Sequence, residues 1–269
     1  MPDLYLSISS QSDDVIEAVA ASMDKRAAEP EMRRICADYM RALPQSAEVL
    51  LEIGCGNGST TGLLLENARP RALVGVDPSE GLIERGRRRF RDDPVVEFLV
   101  GDALATGQGD GMFDVVVAHT VFSHLADPQG ALAEAWRVLR PGGTLAIFDG
   151  DYATNTVALF DGDPLQATMT AAQRNLIHDP YVMRRLPALV RAAGFGACRT
   201  RAHGYMQTET PDYLLSLIGR SVDAAAAAGE FGSELAAGLA SEASRRVADG
   251  TFYGAILFVS LIAEKPLDA

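Results

Sequence analysis

The chain has 269 residues, of which 48% are hydrophobic and 22% charged, a composition typical of a globular protein. A formal net charge of -12 at pH 7 argues against a nucleic acid or an anionic membrane as partner. The N-terminal residues lack a signal-peptide pattern and no apolar run is long enough to span a bilayer, so we expect a cytoplasmic protein. Three scattered cysteines, Cys36, Cys55 and Cys198, indicate neither a disulfide framework nor a metal site.

Residues 10–43 are rich in helix-forming side chains, and from Val49 to Asp151 short apolar runs alternate with helix-length segments. The predicted strands of this block cover 49–53, 72–77, 95–100, 113–118 and 144–148, and the predicted helices cover 59–68, 81–91 and 129–139. Strands that are apolar on both faces and separated by helices favour a parallel sheet covered on both sides, which is an α/β fold.

The last third of the chain predicts further helices and two more strands. A helical insertion begins after residue 152 and ends in a helix over 181–193, and residues 195–206 form a predicted strand. Residues 211–249 are predicted helical, and 255–263 form a last strand. We expect N-terminal lid helices over 1–45 and one larger domain over 46–269, with substrate-cap insertions near 152–186 and 211–249.

A glycine-rich loop, Glu52 to Gly58, follows the first strand and precedes a helix. Glycines at 54 and 56 permit a sharp turn and let a ligand approach bare backbone. Asp77 ends the next strand, where a carboxylate can accept both hydroxyls of a ribose. Ser59 stands where a dinucleotide-binding loop has its third glycine, and Glu52 suits a ligand that carries an ammonium group. The loop therefore favours an adenosine-bearing cation over a pyrophosphate.

Five segments, in order, resemble the motifs of class I S-adenosylmethionine-dependent methyltransferases. They are Val49–Gly58, Val74–Ser79, Gly101–Ala103, Phe113–Pro128 and Trp136–Gly143. The resemblance implies a Rossmann-like, doubly wound sheet of seven strands, with an antiparallel last strand near Phe258 and an added helical cap. Within that family, the sequence most resembles the small-molecule methyltransferases of quinone and natural-product biosynthesis.

The resemblance also implies the cofactor, S-adenosyl-L-methionine, its product, S-adenosyl-L-homocysteine, and a set of contacts. In this sequence the matching positions are Glu52, Gly54, Cys55, Gly56, Asp77, Pro78, Asp102, Ala103, Ala118, His119 and His124. The acid of the third motif, Asp102, would take the adenine amino group. Arg33 or Arg34, on the helix before the first motif, could reach the cofactor carboxylate.

Methyl transfer from a sulfonium requires mainly alignment of two reactants, so the sequence need not contain an obligatory catalytic residue. His119 is the candidate general base or substrate contact, because an unperturbed imidazole titrates near neutral pH. Asp149, Asp151, Tyr152 and Tyr181 are candidate substrate contacts. A hydrated turn explains the first three equally well, and a surface or packed position explains Tyr181 better.

Two other functions compete with methyl transfer to a small molecule. A non-catalytic protein could retain the S-adenosylmethionine site, although Glu52, Asp77 and Asp102 are intact. An NAD-dependent oxidoreductase is disfavoured by the missing third glycine at position 59. The accepting atom, whether oxygen, carbon or nitrogen, and the oligomeric state do not follow from the sequence.

Overall fold

A computed structural model describes residues 3–45 and 47–268, in which a seven-stranded sheet carries helices on both faces. The strands are β1 (Val49–Ile53), β2 (Ala72–Asp77), β3 (Val96–Val100), β4 (Phe113–His119), β5 (Leu139–Thr156), β6 (Arg199–Gln207) and β7 (Gly254–Glu264). The helices are α1 (Asp13–Ala28), α2 (Pro30–Met40), α3 (Ser59–Asn67), α4 (Glu80–Arg89), α5 (Pro128–Val138), α6 (Gln166–Asn175), α7 (Val182–Ala192), α8 (Asp212–Ala227) and α9 (Ser233–Ala248). Short 3-10 segments cover Leu4–Ser10 and Phe122–His124.

The strands follow the order β3-β2-β1-β4-β5-β7-β6 across the sheet. Neighbours among β1 to β5 run parallel, whereas β7 is antiparallel to both β5 and β6. The order reverses direction between β1 and β4, which is where open α/β sheets bind their ligands. The predicted seven-stranded, Rossmann-like sheet with an antiparallel last strand is confirmed.

Local side-chain chemistry determines where several helices begin. The Ser79 hydroxyl accepts a hydrogen bond from Leu82 N at 3.3 Å and caps α4. Asp127 caps α5 by accepting from Gly130 N at 2.9 Å, and Pro128 follows at the first helical position, where it has no amide to leave unpaired.

Strand β5 is much longer than the predicted 144–148. Its pairing with β7 continues past Phe148, with Asp149 opposite Val259 and Asp151 opposite Leu257. The polar residues Asp149 and Asp151, which resemble a turn in the sequence, are therefore residues of a paired strand.

Helices outside the sheet join the two ends of the chain. Helix α1 contacts α3, α4 and α8, and α6 packs against α8. One buried apolar cluster includes Ile35 of α2, Phe148 of β5, Met169 of α6 and Leu217 of α8. The predicted division at 45–46 falls at Ser46, outside the described residues, and it stays a prediction. None of the described helices is both long and apolar enough to cross a membrane.

Candidate active site

A cavity of about 330 Å³ opens beyond the carboxyl ends of β1, β2 and β4, and we call it the main cavity. Its floor comes from the loops that follow these strands, and its roof comes from the N-terminal segment and α1. The residues that line it include Tyr5, Met23, Arg26, Gly54, Cys55, Asp77, Pro78, Asp102, Ala103, His119, Thr120, Val121, His124 and Asp127.

The glycine loop takes a conformation that other residues rarely adopt. Gly54 and Gly56 have φ values of +69° and +55°. A Cβ atom on Gly54 would lie 2.4 Å from Cγ2 of Val121, and one on Gly56 would lie 2.8 Å from Sδ of Met23. Both glycines are therefore required by the backbone conformation and by the close approach of neighbouring side chains.

Asp77 lies at the end of β2, is 6% exposed and faces the main cavity. Its Oδ2 accepts a hydrogen bond from Gly56 N at 3.0 Å, and its Oδ1 accepts one from Ser79 N at 2.9 Å. Burial raises the pKa of Asp77 to about 6, although the two backbone donors oppose the rise. Each oxygen keeps a second lone pair, so the ionised carboxylate can accept two more donors.

Glu52 lies beneath the loop and does not line the main cavity, unlike the arrangement that we expected for an ammonium contact. The residue is 1% exposed, and Oε2 accepts a hydrogen bond from the Thr61 hydroxyl at 2.5 Å. Burial raises the pKa of Glu52 to about 8, and Oε1 is buried without a hydrogen-bond partner. Gly56 and Ala118 also lie behind the cavity wall rather than on it.

The loop after β3 supplies the third predicted motif to the same cavity. Asp102 and Ala103 both line it, and Asp102 Oδ1 accepts a hydrogen bond from Leu104 N at 2.8 Å. The motif acids at 77 and 102 therefore meet at one cavity although they follow different strands.

His119 is buried between aromatic rings at the end of β4. Its Nδ1 lies 2.8 Å from the Tyr39 hydroxyl, and its ring stacks on Phe148 with centroids 4.6 Å apart. Burial, and then the positive charge of Arg26, lowers the pKa of His119 well below its ordinary value. The imidazole is therefore neutral at physiological pH, and it is a weaker base than its residue type suggests.

His124 forms a cluster with the N-terminal segment. Its Nδ1 lies 2.5 Å from Oδ2 of Asp3, and its ring centroid is 4.3 Å from that of Tyr5. The same Asp3 oxygen accepts a hydrogen bond from His178 N at 2.8 Å. These contacts attach the N-terminal segment over the main cavity.

Arg26 of α1 is a cavity residue that the sequence analysis missed. Its Nη2 donates to the Thr120 hydroxyl at 2.8 Å, and Thr120 itself has a φ of +54°. Arg33 and Arg34, the predicted candidates, lie on the surface and pair instead with Glu66 and Glu31. The sequence contains no signal that would have selected Arg26 among the basic residues of the N-terminal helices.

The structure places three of the predicted substrate contacts away from the main cavity. Asp149 is fully buried and accepts from both the amide and the hydroxyl of Ser123, at 2.9 and 3.0 Å. Asp151 pairs with Arg184 at 2.9 Å, and Tyr181 is 47% exposed beside the same guanidinium. None of the three lines the main cavity.

The fourth candidate, Tyr152, lines a smaller cavity of about 40 Å³ that we call the second cavity. The two cavities share Tyr5, Met23, Arg26 and His124, so they are neighbours separated by a few side chains. In residues 3–45 and 47–268, no cluster of three or more His, Cys, Asp or Glu side chains has the arrangement of a metal site.

Comparison with known proteins gives consistent matches. A family model described as a methyltransferase domain matches residues 51–147. The ubiquinone/menaquinone biosynthesis C-methyltransferase UbiE of Dinoroseobacter shibae is 34% identical over 175 residues, covering 59% of this chain and 70% of that protein. An uncharacterized 37.1 kDa protein in transposon TN4556 of Streptomyces fradiae is 30% identical over 239 residues, covering 86% of this chain.

A similar solved structure is that of Haemonchus contortus phosphoethanolamine N-methyltransferase 2 in complex with S-adenosyl-L-methionine. It matches with a TM-score of 0.60 and 18% sequence identity, over 97% of this chain and 59% of that one. The chain spans 66%, 45% and 42% of the lengths of three curated relatives that it matches.

Proposed function

This chain belongs to the class I S-adenosylmethionine-dependent methyltransferases, and we propose that it transfers a methyl group from S-adenosylmethionine to a small-molecule acceptor. The observation that carries the proposal is the convergence of the glycine loop, Asp77 and Asp102 on the main cavity. One group of relatives is named for ubiquinone or menaquinone biosynthesis and another for trans-aconitate. Ubiquinone, menaquinone and trans-aconitate are all small molecules. The acceptor would be a quinone-like or secondary metabolite, methylated on oxygen, carbon or nitrogen.

The residues of the main cavity suit the parts of this cofactor. Asp77 would accept hydrogen bonds from the two ribose hydroxyls, and Asp102 would accept one from the adenine amino group. The backbone of Gly54 and Cys55 would contact the cofactor directly. A side chain at position 54 would have no room. Glu52 does not line the cavity, and its raised pKa of about 8 keeps it protonated at neutral pH, so in this proposal it is not the partner of the cofactor's ammonium group.

Arg26 would neutralise the carboxylate at the amino-acid end of the cofactor. Its side chain reaches from α1 to Thr120, directly after β4, and both Arg26 and Asp77 line the main cavity. An arginine is suited to a carboxylate because its planar guanidinium can donate two parallel hydrogen bonds. In this proposal Arg26 has the role for which Arg33 and Arg34 were candidates.

The cofactor supplies an electrophilic methyl group on a sulfonium, so the protein's task is to align the acceptor and exclude water. His119 lines the main cavity as a neutral imidazole that is held by Tyr39. It would contact the reactants or take a proton only from an acceptor whose own acidity is high, because its pKa is lowered.

Calorimetric titration of the folded protein with S-adenosylhomocysteine tests the cofactor assignment. We expect one binding site per chain and competition by S-adenosylmethionine. A folded protein that binds neither compound would contradict the assignment.

The transfer itself is tested with S-adenosylmethionine that carries a radiolabelled methyl group. Label recovered in a small-molecule acceptor would establish catalysis. Cofactor binding without transfer to any member of a broad acceptor panel would favour the non-catalytic alternative. A nicotinamide cofactor that bound in place of S-adenosylhomocysteine would favour the oxidoreductase alternative.

A further inference from the structure

The second cavity differs in charge from the main cavity beside it. Three aspartates line the main cavity, namely Asp77, Asp102 and Asp127. Within the described residues, the second cavity is lined by Arg26 and Arg220 and by no carboxylate. This contrast occurs in a chain of formal net charge -12, so the basic lining is a local feature and not the average surface.

Arg220, in the middle of α8, lacks a counter-charge. Its Nε is buried and has no hydrogen-bond partner. Across the described part of the chain, neither Arg220 nor Arg26 takes part in an ion pair. A partly buried guanidinium without a partner is costly for a folded protein unless a ligand satisfies it.

Three tyrosines also line the second cavity. Tyr5, Tyr152 and Tyr213 surround the second cavity, and Tyr152 and Tyr213 are 4% and 5% exposed. Burial raises the pKa of Tyr5, whereas the charges of Arg220 and Arg26, which line the same cavity, oppose the rise. Neutral phenols beside guanidinium groups are further donors for an oxyanion.

We propose that the second cavity binds an oxyanion of the methyl acceptor, a carboxylate or a phosphate, between Arg220 and the tyrosine hydroxyls. The proposal rests on the proposed function, since it assigns the acceptor's anchoring group to a site next to the cofactor. Arg26 lines both cavities, so its charge is shared between the cofactor side and the acceptor side.

The sizes of the cavities agree with this assignment. A space of about 40 Å³ holds more than one water but not a whole metabolite. An anionic head group would occupy the second cavity, while the body of the acceptor extends past His124 and Tyr5 into the main cavity. The reacting atom of the acceptor would then lie in the main cavity, next to the cofactor.

The test uses the intact protein saturated with S-adenosylhomocysteine and three probes of similar shape: benzoate, phenyl phosphate and neutral benzamide. Calorimetry should detect binding of at least one of the two anions, with benzamide about tenfold weaker or worse. The stronger of the two anions identifies the head group as carboxylate or phosphate. Equal binding of all three probes, or no binding of either anion, would overturn the proposal.

The variant Arg220→Gln should bind the anion about tenfold more weakly than wild type does. Its affinity for S-adenosylhomocysteine should stay within about twofold of wild type. Arg199→Gln is the matched control, because Arg199 is exposed on β6 and lines neither cavity. Unchanged anion affinity in Arg220→Gln would overturn the proposal. Thermal unfolding of both variants checks that a loss of binding is not a loss of folding.

The two proposals fail in different ways. If S-adenosylhomocysteine does not bind the wild-type protein, the proposed function is wrong and the oxyanion site falls with it. If S-adenosylhomocysteine binds and the anions do not, only the oxyanion site is wrong.

Discussion

The Tyr39 hydroxyl lies 2.8 Å from Nδ1 of His119, and this hydrogen bond joins α2 to the end of β4. Tyr39 also stacks on Phe148, with centroids 4.9 Å apart, so the two side chains and His119 form one aromatic layer. The arrangement fixes the imidazole that faces the main cavity. It also couples the N-terminal helices to the sheet.

Replacing Tyr39 with Phe should lower the free energy of unfolding by about 1–2 kcal/mol, because a buried nitrogen of His119 loses its partner. Urea denaturation measures the change. Tyr181→Phe is the control, since Tyr181 is 47% exposed, and we expect it to change stability by less than about 0.5 kcal/mol. Equal stability of the two variants would mean that the hydrogen bond contributes nothing net.

Glu52 predicts an unusual dependence of stability on pH. Burial raises its folded-state pKa from 4.5 to about 8, so between these values the folded protein holds a proton that the unfolded chain has lost. Stability must therefore fall as pH rises through this window. In Glu52→Gln this contribution is absent, so from pH 5 to pH 8 the wild type should lose up to roughly 3 kcal/mol more than the variant.

Urea denaturation at the two pH values measures this difference. Asp77 is present in both proteins, so its titration drops out of the difference between their unfolding free energies. Glu97→Gln is the control, because Glu97 is exposed on β3. It should follow the wild-type pH dependence. Parallel pH profiles of Glu52→Gln and wild type would show that Glu52 is ionised in the folded protein throughout.

The sheet and the glycine loop could be predicted because their causes are local. Apolar runs such as 73–76 and 115–118 have no polar side chain to face water, so they indicate buried strands. Gly54 and Gly56 precede a helix start and follow a strand, which predicts the turn whose positive φ values the structure has.

The cavity roof and the long β5 could not be predicted, because their causes are distant in sequence. Arg26 reaches Thr120 across 94 residues, and the residues beside Arg26 do not indicate a partner so far along the chain. Asp149 resembles a turn residue, yet its carboxylate is satisfied by Ser123, 26 residues earlier. A buried carboxylate is compatible with a strand once such partners exist, and only the fold supplies them.

Asp77→Asn should weaken S-adenosylhomocysteine binding by about 10- to 100-fold, because an amide replaces one acceptor oxygen with a donor and removes the negative charge. For the wild type, affinity should also fall as pH drops below about 6, where the carboxylate takes up a proton. Calorimetry at pH 5 and pH 8 measures both effects. Asp92→Asn, on an exposed turn, should behave as wild type. Unchanged affinity in Asp77→Asn would exclude Asp77 as the ribose contact.

The variant Arg26→Gln tests which end of the cofactor Arg26 contacts. If Arg26 faces the carboxylate, the variant should bind S-adenosylhomocysteine about tenfold more weakly. It should bind 5′-methylthioadenosine, which lacks the amino-acid portion, as well as wild type does. Asp77→Asn should weaken both compounds, because both contain the ribose.

The same titrations with Arg33→Gln are the control, since Arg33 pairs with Glu66 on the surface. Its affinities for both compounds should match wild type. A loss for S-adenosylhomocysteine in Arg33→Gln but not in Arg26→Gln would reverse our assignment of the carboxylate contact.

Gly54→Ala should both destabilise the protein and weaken S-adenosylhomocysteine binding, because the new Cβ would lie 2.4 Å from Val121 at a φ of +69°. We expect a loss of about 1–3 kcal/mol in unfolding free energy, measured by urea denaturation beside calorimetry. Gly62→Ala is the matched control: its Cβ would meet only Phe90 at 3.8 Å, and alanine favours helix α3 by up to about 1 kcal/mol. If Gly54→Ala matched Gly62→Ala in stability and affinity, neither the loop conformation nor its contact with Val121 would matter for cofactor binding.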